Sequence, residues 1–243
     1  MKQHQSINSP ASKRYVLNRF TKQDIATVVA VFFHAIGLFG LLYFDKAFFI
    51  KATPFNLLLS FALLIWTQQE KNNGFFLFLL ACFCIGFAAE VAGVNTGLLF
   101  GEYTYGNVLG FKWKEVPLLI GVNWFLIIYC CGISIHTLLT KLTNRLAAGT
   151  QKPPQSLKAL SVIVDGATLA VFFDWLMEPV AVKLGYWSWA GSIPFFNYLC
   201  WFGISLLLLG IFHLIKFNKQ NKFAVNLLLI QLMFFLVLRT FMK

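Results

Sequence analysis

Seven stretches of this chain are apolar for long enough, or nearly so, to cross a hydrocarbon core: residues 25–44, 54–67, 75–92, 117–139, 159–177, 194–215 and 223–238. A span with no water around it must satisfy its backbone internally, which leaves helices as the solution for runs of this length. The pattern predicts an all-α polytopic membrane bundle of about seven transmembrane helices, the second and seventh being short. A basic tail over 1–24 precedes a single helical domain over 25–243. The first run is too long for a signal peptide's apolar region and lacks a small-residue cleavage pattern, so it reads as an uncleaved first span. Between the runs lie breakers and charge, as in "DKAFFIKATP", "QQEKNNG" and "KFNKQNK".

Composition supports this class. Of 243 residues 58% are hydrophobic and 12% charged, too few charges for a soluble surface. The net charge of +11 is spread over short connecting segments without a recognition module, which argues against nucleic acid and for lipid headgroups as the anionic neighbour. Alternate segments hold 13 and 7 of the 20 Lys and Arg, predicting a cytoplasmic N-terminus in a bacterial cytoplasmic membrane. All five cysteines fall inside apolar runs without C-x-x-C spacing and read as small buried hydrophobes.

An internal repeat is present. Glu90, Gly101, Tyr103 and Tyr105 are matched by Asp174, Gly185, Trp187 and Trp189 at one displacement of 84 residues. After a connection seven residues shorter in the second copy, "VPLLIGVNWF" aligns with "IPFFNYLCWF", pairing Pro117 with Pro194 and Trp124 with Trp201. Each unit, about 75–139 and 159–215, is a helix ending near a carboxylate, a glycine-aromatic loop and a proline-started return helix. Both units run in the same direction, a parallel repeat that builds sites between its copies.

Ionisable groups in spans are costly and mark cavities or partners. Glu90 and Asp174, at matched depth near the ends of the third and fifth spans, form a pair whose surroundings can hold one protonated and one ionised, suiting general acid and base work. Glu178 shares Asp174's helix face if the helix reaches Pro179; a residue before proline disfavours helix, so capping the turn is the other reading. Asp165, nine residues before Asp174 and on the opposite face, predicts an interhelical hydrogen bond. Tyr103, Tyr105, Trp187 and Trp189 fit either an interfacial aromatic belt or a cation-stabilising pocket wall. Asn123 and Asn197 are polar residues early in the return helices, suited to hold a water or a carboxylate. Gly93, Gly97 and Gly101, four apart, predict close backbone approach.

His4, His34, His136 and His213 lack the spacing of a di-iron centre. No phosphate loop, dinucleotide fingerprint or paired Asp-rich magnesium motif occurs. The expectation is a reaction without metal or cofactor on an apolar substrate.

"EVAGVNTGLLFGEYTYG" and "FFDWLMEPVAVKLGYWSWAGSIPFFNYLCWF" resemble the carotenoid biosynthesis membrane family that includes the terminal carotenoid hydratases, of the gamma-carotene 1′-hydratase and bisanhydrobacterioruberin hydratase type, over roughly residues 75–210. Family members can carry Asp-Pro where this chain has Glu178-Pro179. The resemblance implies addition of water to the terminal double bond of an acyclic carotenoid end group, with a carotenoid as substrate, the bilayer as surroundings and other enzymes of that pathway as candidate partners. In that reading Asp174 is the acid, Glu90 positions or deprotonates the water, and Glu178, Asn197, Asn123, Trp124, Trp201 and the Tyr/Trp set shape the pocket, with acid and base exchangeable. An end-group cyclase using the same cation and a small transporter are the alternatives.

Overall fold

In the computed structural model, described for residues 20–146 and 154–242, the chain is a helical bundle. The basic tail lies almost wholly outside the described residues, as does part of the connection after the fourth expected span. Among the described residues there are eight helices: α1 Lys22–Tyr43, α2 Lys46–Lys51, α3 Thr53–Thr67, α4 Asn73–Thr96, α5 Leu119–Leu146, α6 Gln155–Lys183, α7 Phe195–Leu214 and α8 Lys222–Phe241. Six are long and apolar enough to span a membrane, and large apolar side chains such as Phe32, Phe39, Leu77, Leu80, Leu207 and Met233 point outward from them, as lipid-facing residues must. The protein is an integral membrane protein.

Local chemistry sets the helix ends. Thr21 and Asp24 form a capping box that starts α1 at Lys22, three residues before its apolar run. Asn72 caps α4 by accepting from the Phe75 N–H, and Gly97 ends it in the left-handed conformation at φ 68°. Asn221 caps α8, which at 20 residues is a full span although its apolar run looked short. The second run behaves differently. Its helix, α3, has 15 residues, yet Thr53 Oγ1 lies 2.6 Å from Tyr186 Oη at one end of the bundle and Gln68 Nε2 donates over 2.8 Å to the Asn218 carbonyl at the other. It runs between the same two ends as its longer neighbours. At the second end, Tyr129 donates to Gln68 Oε1 and Asn221 Nδ2 donates to Tyr129 Oη, tying α3, α5 and the start of α8 together.

α6 packs against α5, α7 and α8, and α5 is the most buried span. The loops of the two repeat units meet at one end in a two-stranded antiparallel pair, β1 (Tyr103–Tyr105) with β4 (Trp187–Trp189). The register places Tyr103 opposite Trp189, Thr104 opposite Ser188 and Tyr105 opposite Trp187. Repeat-equivalent Thr104 and Ser188 face each other, with Oγ1 and Oγ 3.2 Å apart, and repeat-equivalent Trp124 and Trp201 stack at 4.0 Å. Equivalent residues meet themselves only about a two-fold axis, so the parallel repeat is realised as an approximate two-fold lying between α5 and α7. The extra residues of the first loop form a hairpin, β2 (Lys112–Trp113) with β3 (Val116–Pro117), turned by Lys114 and Glu115 at positive φ.

Three local expectations change. α4 continues to Thr96 and α6 to Lys183, so Glu90 and Asp174 sit about 9 and 13.5 Å inside their helix ends at 1.5 Å per residue rather than close to them. Gly93, Gly97 and Gly101 do not form a helix-packing stripe. A Cβ at Gly93 would lie 2.8 Å from the Phe100 ring, 3.0 Å from Tyr103 Oη and 3.1 Å from the Leu99 carbonyl oxygen, so the close backbone approach occurs there but to the following loop and not to another helix; Gly97 is the helix cap, and Gly101 turns the chain at φ 121°. Asp165 is exposed on the outer face of α6, with no hydrogen-bond partner among the described residues, because the helix turns it away from α5, α7 and α8.

Candidate active site

The site is built where the two units face each other. α4 supplies Glu90, α6 supplies Asp174 and Glu178, β1 and β4 supply the Tyr and Trp rings, and the starts of α5 and α7 supply Asn123, Trp124, Asn197 and Trp201. Together these residues line one cavity of about 20 Å³. A volume of 10–15 Å³ accommodates roughly one water, so this space is water-sized.

The three carboxyl groups are 5, 1 and 3% exposed for Glu90, Asp174 and Glu178. Buried charges require partners, and here the partners are unequal. Glu90 Oε2 accepts from Tyr103 Oη at 2.5 Å and Tyr105 Oη at 2.7 Å, and its Oε1 accepts from Trp124 Nε1 at 3.0 Å. Burial, reinforced by the adjacent Glu90, pushes both phenols well above their ordinary range, so they stay O–H donors at physiological pH. Asp174 Oδ2 accepts from Asn197 Nδ2 at 2.8 Å, and its buried Oδ1 has no partner among the described residues. Glu178 Oε2 accepts from Trp187 Nε1 at 2.8 Å and Trp189 Nε1 at 3.2 Å, leaving Oε1 without a hydrogen bond among the described residues.

The repeat alone would give Asp174 the donors that Glu90 has. Instead the indole donors equivalent to Tyr103 and Tyr105 serve Glu178, because α6 stays helical through Pro179 and places Glu178 one turn beyond Asp174 on the same inward face. The matching position in α4 is Val94. Glu178 therefore does not cap a turn, and the two halves of the cavity differ by one carboxyl group.

The rings close the space. Tyr103 packs on Trp189 at 4.9 Å between centroids and Tyr105 on Trp187 at 5.8 Å, beside the Trp124–Trp201 stack. Tyr103, Tyr105 and Trp187 are buried rather than spread along the rim of the bundle, so they form an internal wall.

The family model for carotenoid biosynthesis proteins matches residues 52–243. The chain belongs to that family. Among curated proteins, the bisanhydrobacterioruberin hydratase of Haloarcula japonica is 28% identical over 192 residues, which cover 76% of this chain and 60% of the relative. The chain thus aligns with somewhat less than two thirds of that relative's length. No solved structure matches.

Three further residues of this family member line the cavity: Phe100, Ile120 and Met177. Sequence reasoning missed them, although repeat alignment marks Ile120 as the equivalent of Asn197 and helical period places Met177, three residues after Asp174, on the same face. Phe100 had no such signal. It adopts φ 65°, unusual without glycine, while its N–H donates to Cys200 Sγ at 3.3 Å and its ring is buried.

Proposed function

We propose that this protein hydrates the terminal double bond of an acyclic carotenoid end group, with Asp174 as general acid and Glu178 as the base that activates water. The observation that carries the reading is the unequal hydrogen bonding of three buried carboxyl groups around a water-sized cavity walled by aromatic rings. Asp174 Oδ1, enclosed and without a partner among the described residues, is the oxygen free to carry a proton to an alkene. Glu90 has both oxygens occupied by three donors, so the water-activating role assigned to it from sequence passes to Glu178. Glu90 then anchors Tyr103, Tyr105 and Trp124 as a fixed wall.

In the forward step the Asp174 proton adds to the less substituted alkene carbon and a tertiary cation forms at the other. Ring faces of the Tyr and Trp set stabilise that cation, more strongly in a site closed to bulk water. The oxygen of the cavity water bonds to the cationic carbon while Glu178 takes the proton released. The product is a tertiary alcohol. Proton return from Glu178 to Asp174, one helical turn away, restores the starting state. The end group is far larger than the cavity, so its entry requires the lining side chains to part.

The relative's printed activity, the family match and the apolar surroundings support a carotenoid substrate. The basic-residue bias supports a cytoplasmic N-terminus, with the site toward the outer face.

Co-expression with a pathway that makes an acyclic carotenoid tests the reading by pigment mass. Gain of one water per reacting end is expected from the wild type, and its loss is expected from Asp174→Asn and Glu178→Gln. Unchanged pigment despite folded wild-type protein would refute hydration, and an isomer of unchanged mass would identify a cyclase instead.

A further inference from the structure

Pro179 lies within α6, about one turn beyond Trp175, at the i+4 position whose N–H would normally bond the Trp175 carbonyl. Proline has no N–H, so that carbonyl loses its helical donor. In apolar surroundings such a group needs a replacement. α8 provides one. Arg239 Nη1 donates to the Trp175 carbonyl at 2.6 Å, and its guanidinium lies 3.9 Å from the centre of the Trp175 ring. One turn beyond the proline, Lys183 Nζ donates to the Met242 carbonyl at 2.9 Å, so the same end of α8 holds α6 at two points.

The residues between those two points include Met177 and Glu178, and Asp174 directly precedes Trp175. Whether Asp174 and Glu178 share an inward face depends on this segment staying helical through its proline. We propose that Arg239 is a positioning residue for the carboxyl groups: it replaces the hydrogen bond that Pro179 removes and so fixes the geometry between Asp174 and Glu178. Among the described residues Arg239 makes no hydrogen bond to a cavity residue, and it acts through the backbone of α6. Its functional part rests on the hydration reading above; its structural part does not.

The ionisable groups facing Asp174 and Glu178 are each other, Glu90 of α4, Tyr103 and Tyr105 of β1 and Tyr198 of α7, while Arg239 of α8 lies beside Tyr198 and on the Trp175 side of α6. A change in carboxyl geometry therefore moves the pH dependence of turnover, whereas a smaller folded fraction only scales it.

The test is a cycle of Arg239→Ala, Pro179→Ala and the double variant in the full chain. Alanine at position 179 restores a backbone N–H to the Trp175 carbonyl, making the guanidinium dispensable. Arg239→Ala is expected to lower the melting temperature in detergent, to cut turnover by about tenfold to a hundredfold as misplaced catalytic groups do, and to shift the pH midpoint of activity. The double variant is expected to recover all three. An Arg239→Ala melting loss that is the same with proline as with alanine at position 179 would overturn the proposal, as would a wild-type pH profile in Arg239→Ala. If the wild type hydrates no carotenoid, the reaction assignment fails, while the melting cycle still decides whether Arg239 replaces the missing donor.

Discussion

Glu90→Gln gives the sharpest test of the hydrogen-bonded wall. The wild-type carboxylate receives two phenols on Oε2 and the Trp124 indole on Oε1, all buried. Glutamine has nearly the same shape but presents one acceptor and one NH₂ group. With its oxygen toward the phenols, its NH₂ opposes the Trp124 N–H; turned round, it directs N–H bonds at two phenols that must rotate to accept them. The first orientation retains two of three bonds and leaves one donor facing another. Losing a hydrogen bond to a charged acceptor costs about 1.5–3 kcal/mol. With the remaining two bonds weakened, a total of about 2–4 kcal/mol is expected. For a chain of this size each kcal/mol lowers the melting temperature by about 2–4 °C, giving a fall of roughly 5–15 °C. Tyr105→Phe removes one donor to the same carboxylate and leaves the other two bonds at full strength, so it is expected to cost less than Glu90→Gln, about 1.5–2 kcal/mol at the low end of that range. Thermal unfolding of detergent-solubilised protein, followed by near-ultraviolet circular dichroism, reads both. A Glu90→Gln melting temperature equal to wild type, or a larger loss in Tyr105→Phe, would refute the reasoning.

Asn197→Leu keeps approximate volume but removes the donor to Asp174 Oδ2. On the proposed reaction, turnover should fall by about a hundredfold with the protein still folded, as expected when an acid loses its orienting partner, measured as hydrated pigment per unit of protein. Gly86→Ala places a Cβ 2.3 Å from Trp124 Cγ and 2.6 Å from Trp124 Cβ. Contact so close to the backbone cannot be relieved by rotating the ring, so α4 must move from α5 at a cost of about 1–3 kcal/mol, seen as a lower melting temperature and a weaker near-ultraviolet tryptophan signal.

Periodicity and length made the helices legible, because a membrane span must be long, apolar and internally bonded, and these properties are local. Helix ends were less legible. The caps at Thr21 and Gly97, and the passage of α6 through Pro179, depend on a few polar contacts that hydropathy does not register. The repeat was legible as a shared displacement, and it brought Glu90, Asp174, the four loop aromatics and the Trp124–Trp201 pair into one reading. Asp165 was misplaced because helical position alone does not say which faces acquire neighbours.

By itself, the sequence determined the class of fold, the direction of the two units and the set of side chains available to the site. Tertiary structure decided which carboxyl group each donor serves. That choice turns on whether α6 remains helical across Pro179, and a distant arginine on α8 supplies the donor that proline withholds. Long-range packing of this kind leaves no periodic trace in the chain, yet it separates a carboxylate fully occupied by three donors from two that retain an open oxygen.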